Sequence, residues 1–354
     1  MHRQLTATGQ RESSLADWVV PVALFAAASL LYSINLDRMA HPDEYYHILA
    51  AKGLLATGEP RIAEGIYTRA FLHTWLVAQS FRLFGESLAT ARAPSLIATA
   101  MLVAVMFVWL RHEVSTRAAW IGAVLFGISP FAVDMAQFCR FYALQCLAVF
   151  ATAILVYAAA KSPPDELRRR LVLLAVALGP FSLAIYLQPT SLLGAAGLAI
   201  WAVAAIGLPW LADPHVPRGR KSLAVIGAVL AALATAAFAL ATDIAADLWR
   251  QYNSTPLFNS GDSSQFWYYH GWYSLFYPSL WPLTGLHGLF AITVRPMAAS
   301  MALAVFALGF LLNSFAAAKS LRYIAYAQPF LFVIWAIALA GLWPYLLQFV
   351  GLIR

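Results

Sequence analysis

Apolar residues run along this chain in long stretches that short polar segments separate. Each stretch approaches the length of about 20 apolar residues that lets a helix cross the hydrocarbon core of a bilayer. The stretches lie at residues 18–36, 88–110, 118–134, 141–160, 171–187, 190–210, 222–242, 274–294, 297–316 and 323–347. The pattern therefore predicts an all-α, polytopic transmembrane bundle of about ten spans. The stretch 274–294 is the weakest of them, because Pro278, Pro282 and Gly285 interrupt it.

The composition agrees with a chain that faces lipid. Hydrophobic residues make up 62% and charged residues 11% of the 354 residues, whereas about a quarter of a soluble protein is charged. The net charge of +7 comes from basic residues spread between apolar runs, with no continuous patch. A nucleic-acid partner is therefore not expected, and the lipid bilayer is the expected surrounding.

The basic residues also predict an orientation. If the amino terminus is cytoplasmic, the short loops 111–117, 161–170 and 211–221 lie inside and are rich in Lys and Arg, as the positive-inside rule requires. The two long loops, 37–87 and 243–273, then lie outside. Since the composition is rich in alanine and typical of a bacterial protein, we expect a multi-pass protein of the bacterial inner membrane whose site faces the periplasm. We expect one membrane domain over 1–354 without a separate soluble domain.

The first outer loop carries the strongest chemical signal, in the segment AHPDEYYHI at 40–48. Pro42 suits the first position of a helix, and Asp43 and Glu44 then occupy the first turn, where the helix dipole favours negative charge. The helix should end at Gly58 and lie along the membrane surface, as should a second stretch at 71–85. A carboxylate placed there can act as a general base. The alternative is that the two carboxylates only stabilise the start of the helix.

A divalent metal is the weaker interpretation of the same loop. His41, Asp43, Glu44, His47 and His73 carry ligand atoms, and Glu44 with His47 has the i, i+3 spacing of half a di-iron motif. Because no second copy of that motif occurs, we expect no metal site and no cofactor.

Aromatic residues crowd the second outer loop, in DSSQFWYYHGWYSLFYPSLW at 262–281. Aromatic side chains concentrate at bilayer interfaces, so an interfacial belt is one interpretation. The other is that Trp267, Tyr268, His270 and Trp272 line a groove for a sugar or an acceptor.

Several segments, in the same order, resemble the GT-C glycosyltransferases of the family 39 type, which include protein O-mannosyltransferases and aminoarabinose transferases. They are a first span, the outer Asp-Glu pair, FRLFGESLATARAPSLIATAMLVAVMFVWL at 81–110, AAWIGAVLFGISPFAVDMAQFCRFYALQCLAVF at 118–150 and KSLRYIAYAQPFLFVIW at 319–335. The resemblance implies a glycosyltransferase that uses a polyprenyl-phosphate-linked sugar as donor. It also implies that Asp43 is the catalytic base, with Glu44 beside it.

The resemblance further implies which residues bind the donor. Arg140 opens the fourth span, and Arg322 with Tyr323 precedes the last one, near Lys319. The remaining substrate-binding candidates are Asp134, Arg69, His47 and Tyr142. The acidic residue that relatives carry two positions before the arginine is Phe138 here, and Asp134, one turn earlier, is its possible substitute.

Other interpretations of these residues stay open at this point. Arg140 can instead form a buried ion pair with Asp134, and Lys319 and Arg322 can be interfacial anchors. The sequence does not identify the sugar, or whether the acceptor is a protein, a lipid or a glycan. A transporter or lipid flippase would need charges in the middle of its spans and repeated halves, whereas most charges here lie at span ends and no repeat is visible. A non-catalytic scaffold for envelope assembly is the other alternative.

Overall fold

The computed structural model of the protein describes residues 15–163, 166–253 and 266–353. Nearly all of this structure is helical, which confirms the predicted all-α membrane fold. The first eight helices are α1 (Leu15–Ser33), α2 (Glu44–Thr57), α3 (Phe71–Phe84), α4 (Leu88–Glu113), α5 (Thr116–Gly127), α6 (Pro130–Ala136), α7 (Tyr142–Lys161) and α8 (Leu167–Leu187). The next eight are α9 (Ser191–Ala202), α10 (Leu208–Ala212), α11 (Arg218–Ala241), α12 (Asp243–Asn253), α13 (Tyr268–Phe276), α14 (Thr284–Val294), α15 (Pro296–Phe315) and α16 (Gln328–Ile353).

Shorter elements connect some of these helices. A π-helical turn, Val203–Gly207, joins α9 to α10, and 3₁₀ turns at Trp281–Leu283 and Leu321–Ala327 precede α14 and α16. The strands β1 (Arg61–Ile62) and β2 (Gly65–Ile66) form a small antiparallel hairpin between α2 and α3.

Six helical segments in the described residues are long and apolar enough to cross a membrane, and a bent pair makes a seventh. The six are Leu88–Glu113, Tyr142–Lys161, Leu167–Leu187, Ser191–Ala212, Pro296–Phe315 and Leu321–Gly351. Two more apolar helices, Trp18–Ser33 and Trp281–Val294, are shorter. The total of about ten spans stays a prediction.

The predicted span 118–134 is broken into two helices. Helix α5 ends at Gly127 and α6 begins at Pro130, with a bend of 61° between them. Ser129 causes the restart, because its side-chain oxygen accepts a hydrogen bond from the Ala132 N–H and so caps α6. Proline at the first position of α6 has its backbone φ already set for a helix. The bend directs the segment after α6 toward the first outer loop.

The predicted span 274–294 is also divided. Helix α13 ends at Phe276 and α14 does not begin until Thr284. Tyr277 precedes Pro278 and has a non-helical backbone (φ −132°, ψ 54°). The proline ring disfavours the helical conformation of the residue before it, which explains the break.

The core of the bundle surrounds α16. Residues 330–338 of this helix are buried on every side, with Phe330, Phe332 and Trp335 as their largest side chains. Helix α9 approaches α15 closely through Gly197, since a Cβ at that position would lie 2.6 Å from the Ala304 carbonyl oxygen. Small residues of this kind allow close helix packing inside membranes.

The first outer loop folds as the sequence predicts, with one difference at its start. Helix α2 ends at Gly58, which has a φ of +78° that glycine adopts without strain. The helix begins at Glu44, and Pro42 lies in the preceding turn, where the Glu44 N–H donates to the His41 carbonyl at 2.9 Å. Helix α2 buries Glu44, His47 and Ile48 and exposes part of Tyr45 and Leu49.

Candidate active site

Asp43 and Arg322 form an ion pair between the two ends of the chain. The Arg322 Nη1 group donates a hydrogen bond to Asp43 Oδ2, although the residues lie 279 positions apart. Asp43 ends the segment before α2, and Arg322 lies in the 3₁₀ turn before α16. Both side chains remain partly exposed, at 34% and 28%. The pair is therefore accessible from outside the bundle.

Arg140 supports Asp43 from the opposite side. Its Nη1 group donates to the Asp43 main-chain carbonyl at 3.0 Å, and its guanidinium lies over the rings of Phe141 and Tyr142. The side chain is buried, so it fixes the backbone at Asp43. The alternative pairing of Arg140 with Asp134 is wrong, because Asp134 accepts a hydrogen bond from Arg38 at 3.2 Å.

The Asp43 carboxyl is held in its ionised form. Burial raises its pKa, but the hydrogen bond from Arg322 and the charges of Arg322, Arg140 and His41 outweigh burial and leave the pKa below its usual value. Asp43 therefore carries a negative charge at neutral pH.

Glu44, the other predicted catalytic carboxylate, is turned into the protein. Its oxygens accept hydrogen bonds from Arg92 Nε and Nη2 and from the backbone N–H groups of His41 and Cys139, each at 2.8 Å. The side chain is 2% exposed. Burial raises the pKa of Glu44, and the hydrogen bonds from Arg92, Cys139 and His41 lower it further than burial raises it. Because four donors already engage this carboxylate, the predicted catalytic role is corrected to a positioning one.

Arg92 also holds the segment that follows α1. Its Nη1 group donates to the carbonyls of Leu36 at 2.6 Å and Arg38 at 2.9 Å. One buried guanidinium on α4 thus holds the connection between α1 and α2 and also holds Glu44. The sequence places Arg92 on the outer side but gives no reason to rank it above the other arginines.

A cavity of about 520 Å³ opens at Arg322, and Asp43 itself is not among its lining residues. The residues that flank Asp43 line it together with groups from α6, α13 and the turn before α16. The lining comprises Arg38, Met39, Ala40, His41, Pro42, Glu44, Asp134, Phe138, Tyr268, Ser320, Leu321 and Arg322. Asp134 thus reaches the same cavity as Phe138, the position at which relatives carry an acidic residue.

Four other predicted residues lie around this centre. Arg69 donates to the Gln188 side chain at 2.9 Å and lies over the Phe141 ring. Tyr142 stacks against Phe138, and the Tyr323 N–H donates to the Ser320 carbonyl at 2.9 Å. Lys319 is buried, and its ammonium donates to the carbonyls of Ser314, at 2.9 Å, and Ala316 at the end of α15. The phosphate-binding role of Lys319 stays a prediction, although its amine is already engaged.

His47 lies behind the site and is uncharged. Its Nδ1 atom is 2.9 Å from the Thr74 hydroxyl, and its ring meets the His73 ring edge-on at 4.8 Å. Burial and the charges of His73, Arg140 and Arg69 lower the pKa of His47 well below its usual value. Burial and the charge of Arg140 lower that of His73 to about 3. Among the described residues, no group of three His, Cys, Asp or Glu side chains is arranged to hold a metal ion.

The second outer loop contributes Tyr268 to the cavity wall. Trp267 is largely exposed, His270 accepts a hydrogen bond from the Trp281 indole at 3.0 Å, and Trp272 stacks on Phe276. Residues 262–265 of the aromatic segment lie outside the described residues. Of the four aromatic residues named from the sequence, Tyr268 is the one that lines this cavity.

Two residues that the sequence does not single out hold Arg322 in place. The Ser320 hydroxyl accepts a hydrogen bond from Arg322 Nε at 3.1 Å. The Tyr269 hydroxyl in turn donates to the Ser320 carbonyl at 3.0 Å. Their only sequence signal is position, since Ser320 precedes the Arg322–Tyr323 pair and Tyr269 lies in the aromatic segment.

Comparison with known proteins confirms the resemblance to GT-C glycosyltransferases. Residues 68–230 match a family profile described as dolichyl-phosphate-mannose-protein mannosyltransferase. This segment contains Arg69, Arg92 and Arg140 but neither Asp43 nor Arg322. No curated protein matches the chain in sequence.

Solved structures show the same fold over nearly the whole chain. ArnT from Cupriavidus metallidurans bound to undecaprenyl phosphate matches with a TM-score of 0.64 at 18% identity, over 92% of this chain and 61% of ArnT. The apo form of that protein gives 0.66 at 17% identity, over 92% and 60% of the two chains. The apo oligosaccharyltransferase of Archaeoglobus fulgidus gives 0.63 at 15% identity, over 96% and 52%. The chain thus spans about three-fifths of the length of ArnT.

Proposed function

We propose that this protein is a membrane glycosyltransferase that transfers a sugar from a polyprenyl-phosphate carrier to an acceptor hydroxyl. The observation that carries the proposal is the meeting of an ionised carboxylate, Asp43, and a guanidinium, Arg322, beside one cavity. The fold supports the proposal, since ArnT, which shares it, has been crystallised with undecaprenyl phosphate.

The reaction needs two things from the protein. The acceptor oxygen attacks the anomeric carbon, the bond from that carbon to the phosphate oxygen breaks, and the hydroxyl proton passes to Asp43. Direct displacement of this kind inverts the anomeric centre. The departing polyprenyl phosphate is a weak base, so the step depends on a base for the hydroxyl and on positive charge for the phosphate.

Arg322 is the group best suited to the phosphate. A guanidinium offers five N–H donors in a planar fork that matches the oxygens of a phosphate. Charge-assisted hydrogen bonds from such a group strengthen as negative charge grows on the leaving group. Arg140 supports the reaction differently, by holding the Asp43 main chain, because its guanidinium is buried against Phe141.

We place the reaction on the periplasmic side of a bacterial inner membrane. The supporting observation is the distribution of charge, because the basic loops 161–170 and 211–221 lie at the ends of spans opposite to the first outer loop in the positive-inside arrangement. The acceptor is a hydroxyl that reaches the cavity from that side, on a protein, a lipid or a glycan.

Release of free polyprenyl phosphate tests the proposal. Purified protein is incubated with a panel of polyprenyl-phosphate sugars and with membrane-extract acceptors, and the lipid phosphate is measured. We expect release by the native protein and a loss of about 10²–10⁴ in rate for Asp43→Asn, the usual size of a general-base effect. Glu86→Gln is the matched control, because Glu86 is an exposed carboxylate of the same outer loop that pairs with Lys52.

Two outcomes would contradict the proposal. A transporter or a scaffold would release no polyprenyl phosphate from any donor in the panel, although the protein is folded. A native rate in Asp43→Asn would show that the carboxylate is not the base.

A further inference from the structure

Asp43 and Arg322 contact each other, although the proposed reaction gives each of them a different partner. Asp43 must accept a proton from the acceptor hydroxyl, and Arg322 must bind the donor phosphate. A carboxylate that accepts a hydrogen bond from a guanidinium is a weak base, as the lowered pKa of Asp43 reflects. The contact therefore has to open before Asp43 can act.

The donor phosphate is the group that can open it. A phosphate bound to Arg322 would stand beside the Asp43 carboxylate, and two adjacent negative charges repel each other in a partly buried site. The charge of Arg140 attracts the carboxylate, but its hydrogen bond goes to the Asp43 main-chain carbonyl, so Arg140 does not replace the hydrogen bond from Arg322. Phosphate and carboxylate thus compete for a single guanidinium.

The surroundings make this an exchange of side chains without a larger movement. Arg322 is kept at the cavity by the Ser320 hydroxyl and lies over the Phe138 ring. The main chain at Asp43 is kept by Arg140 and by the buried Glu44 next to it. Because both neighbouring contacts hold the main chain, the pair would separate through rotation of the Asp43 side chain.

We propose that Asp43 is an internal competitor of the donor phosphate at Arg322, so that its carboxylate weakens phosphate binding while the pair is closed. The inference rests on the proposed function and deepens it by fixing an order of events. The donor takes Arg322 first, and Asp43 is then free to act on the acceptor. After transfer, loss of the proton returns Asp43 to Arg322 and displaces the lipid phosphate.

Binding of a short prenyl monophosphate measures this competition. Farnesyl phosphate is titrated into the purified full-length protein in detergent, and the heat of binding gives Kd. We expect Asp43→Asn to bind about tenfold more tightly than the native protein, which corresponds to a binding-competent Arg322 fraction of about one-tenth in the native protein. A variant that loses catalysis would thus gain affinity for its product.

Asp134→Asn is the matched control for charge. Asp134 lines the same cavity but pairs with Arg38, so its neutralisation removes one negative charge without touching Arg322. We expect a change of less than about threefold for this variant, as for an exposed ion pair. We expect Arg322→Gln to weaken binding, and Asp43→Asn to give no gain when it is combined with Arg322→Gln.

Several results would overturn the inference. They are equal or weaker binding by Asp43→Asn, an equal gain in Asp134→Asn, a gain that persists in the double variant, and no binding of farnesyl phosphate by any variant. The assay contains neither sugar nor acceptor, so it separates the two proposals. Tight binding by Asp43→Asn, together with no transfer by the native protein from any donor, would leave the competition standing and refute the transferase. Transfer by the native protein without that gain in binding would do the reverse.

Discussion

The buried pair of Arg92 and Glu44 offers the most direct test of how the site is held. Replacing Arg92 with methionine keeps much of the side-chain volume but removes the charge. Glu44 would then keep only the backbone donors of His41 and Cys139, inside a pocket where its side chain is 2% exposed. Breaking a buried ion pair by removing one partner costs about 3–5 kcal/mol, because the remaining charge is unpaired.

Unfolding in mixed micelles of mild detergent and sodium dodecyl sulfate measures this loss, with tryptophan fluorescence as the signal. Arg61→Met is the matched control, since Arg61 makes the same kind of contact to Glu59 at the surface and exposed pairs contribute about 0–1 kcal/mol. Adding Glu44→Gln to Arg92→Met removes the unpaired charge, so the double variant should be more stable than Arg92→Met alone. A loss of stability in Arg92→Met no greater than that in Arg61→Met would contradict the role of the buried pair, as would a double variant less stable than Arg92→Met alone.

Three further predictions concern the pH dependence of Asp43, the turn that carries Arg322 and the packing of α9 against α15. In pH profiles, the acid limb of kcat should lie at higher pH than the acid limb of kcat/KM. The bound donor removes Arg322 from Asp43, so the lowered pKa of Asp43 rises in the enzyme–donor complex. Acid limbs at the same pH would contradict this prediction. Tyr269→Phe should raise the Kd for farnesyl phosphate about threefold to tenfold by removing the hydroxyl that orders the Arg322 turn, and should lower the unfolding free energy by about 1 kcal/mol. An unchanged Kd would contradict this role of Tyr269. Gly197→Ala should lower the unfolding free energy by about 1–3 kcal/mol, because the new Cβ overpacks the contact between α9 and α15. Gly179→Ala is the control, since a Cβ there meets no neighbouring atom within 4 Å, and it should not lower the unfolding free energy. Equal effects of the two substitutions would contradict the close packing at Gly197.

The elements whose signals are local were predictable from the sequence. Helix α2 ends at Gly58 because the backbone there needs a positive φ, and the apolar runs place most helices within a few residues. The break between α5 and α6 also has a local signal, since Ser129–Pro130 is a helix-capping pair. The sequence analysis nevertheless predicts one continuous span there, because residues 118–134 are apolar nearly throughout.

The arrangement of the site depends on contacts that no local pattern contains. Asp43 and Glu44 are neighbours in sequence, but the first turn of α2 points one carboxylate toward Arg322 and the other toward Arg92. Which arginine each of them contacts follows from where that helix begins and which helix packs behind it. Similarly, the resemblance makes both Arg140 and Arg322 candidates for binding the donor phosphate. In the structure, Arg140 instead donates a hydrogen bond to the Asp43 main-chain carbonyl.

Helix α2 buries polar and apolar side chains alike and has an outer face on which Tyr45, Leu49 and Leu55 are each more than 40% exposed. The predicted position of α2 at the membrane surface would make lipid a structural neighbour of the segment that carries Asp43. Detergent replaces that neighbour with a looser one, so turnover should depend on the mimetic chosen for purification. Lipid nanodiscs are therefore the appropriate setting for comparing rates between variants of this loop.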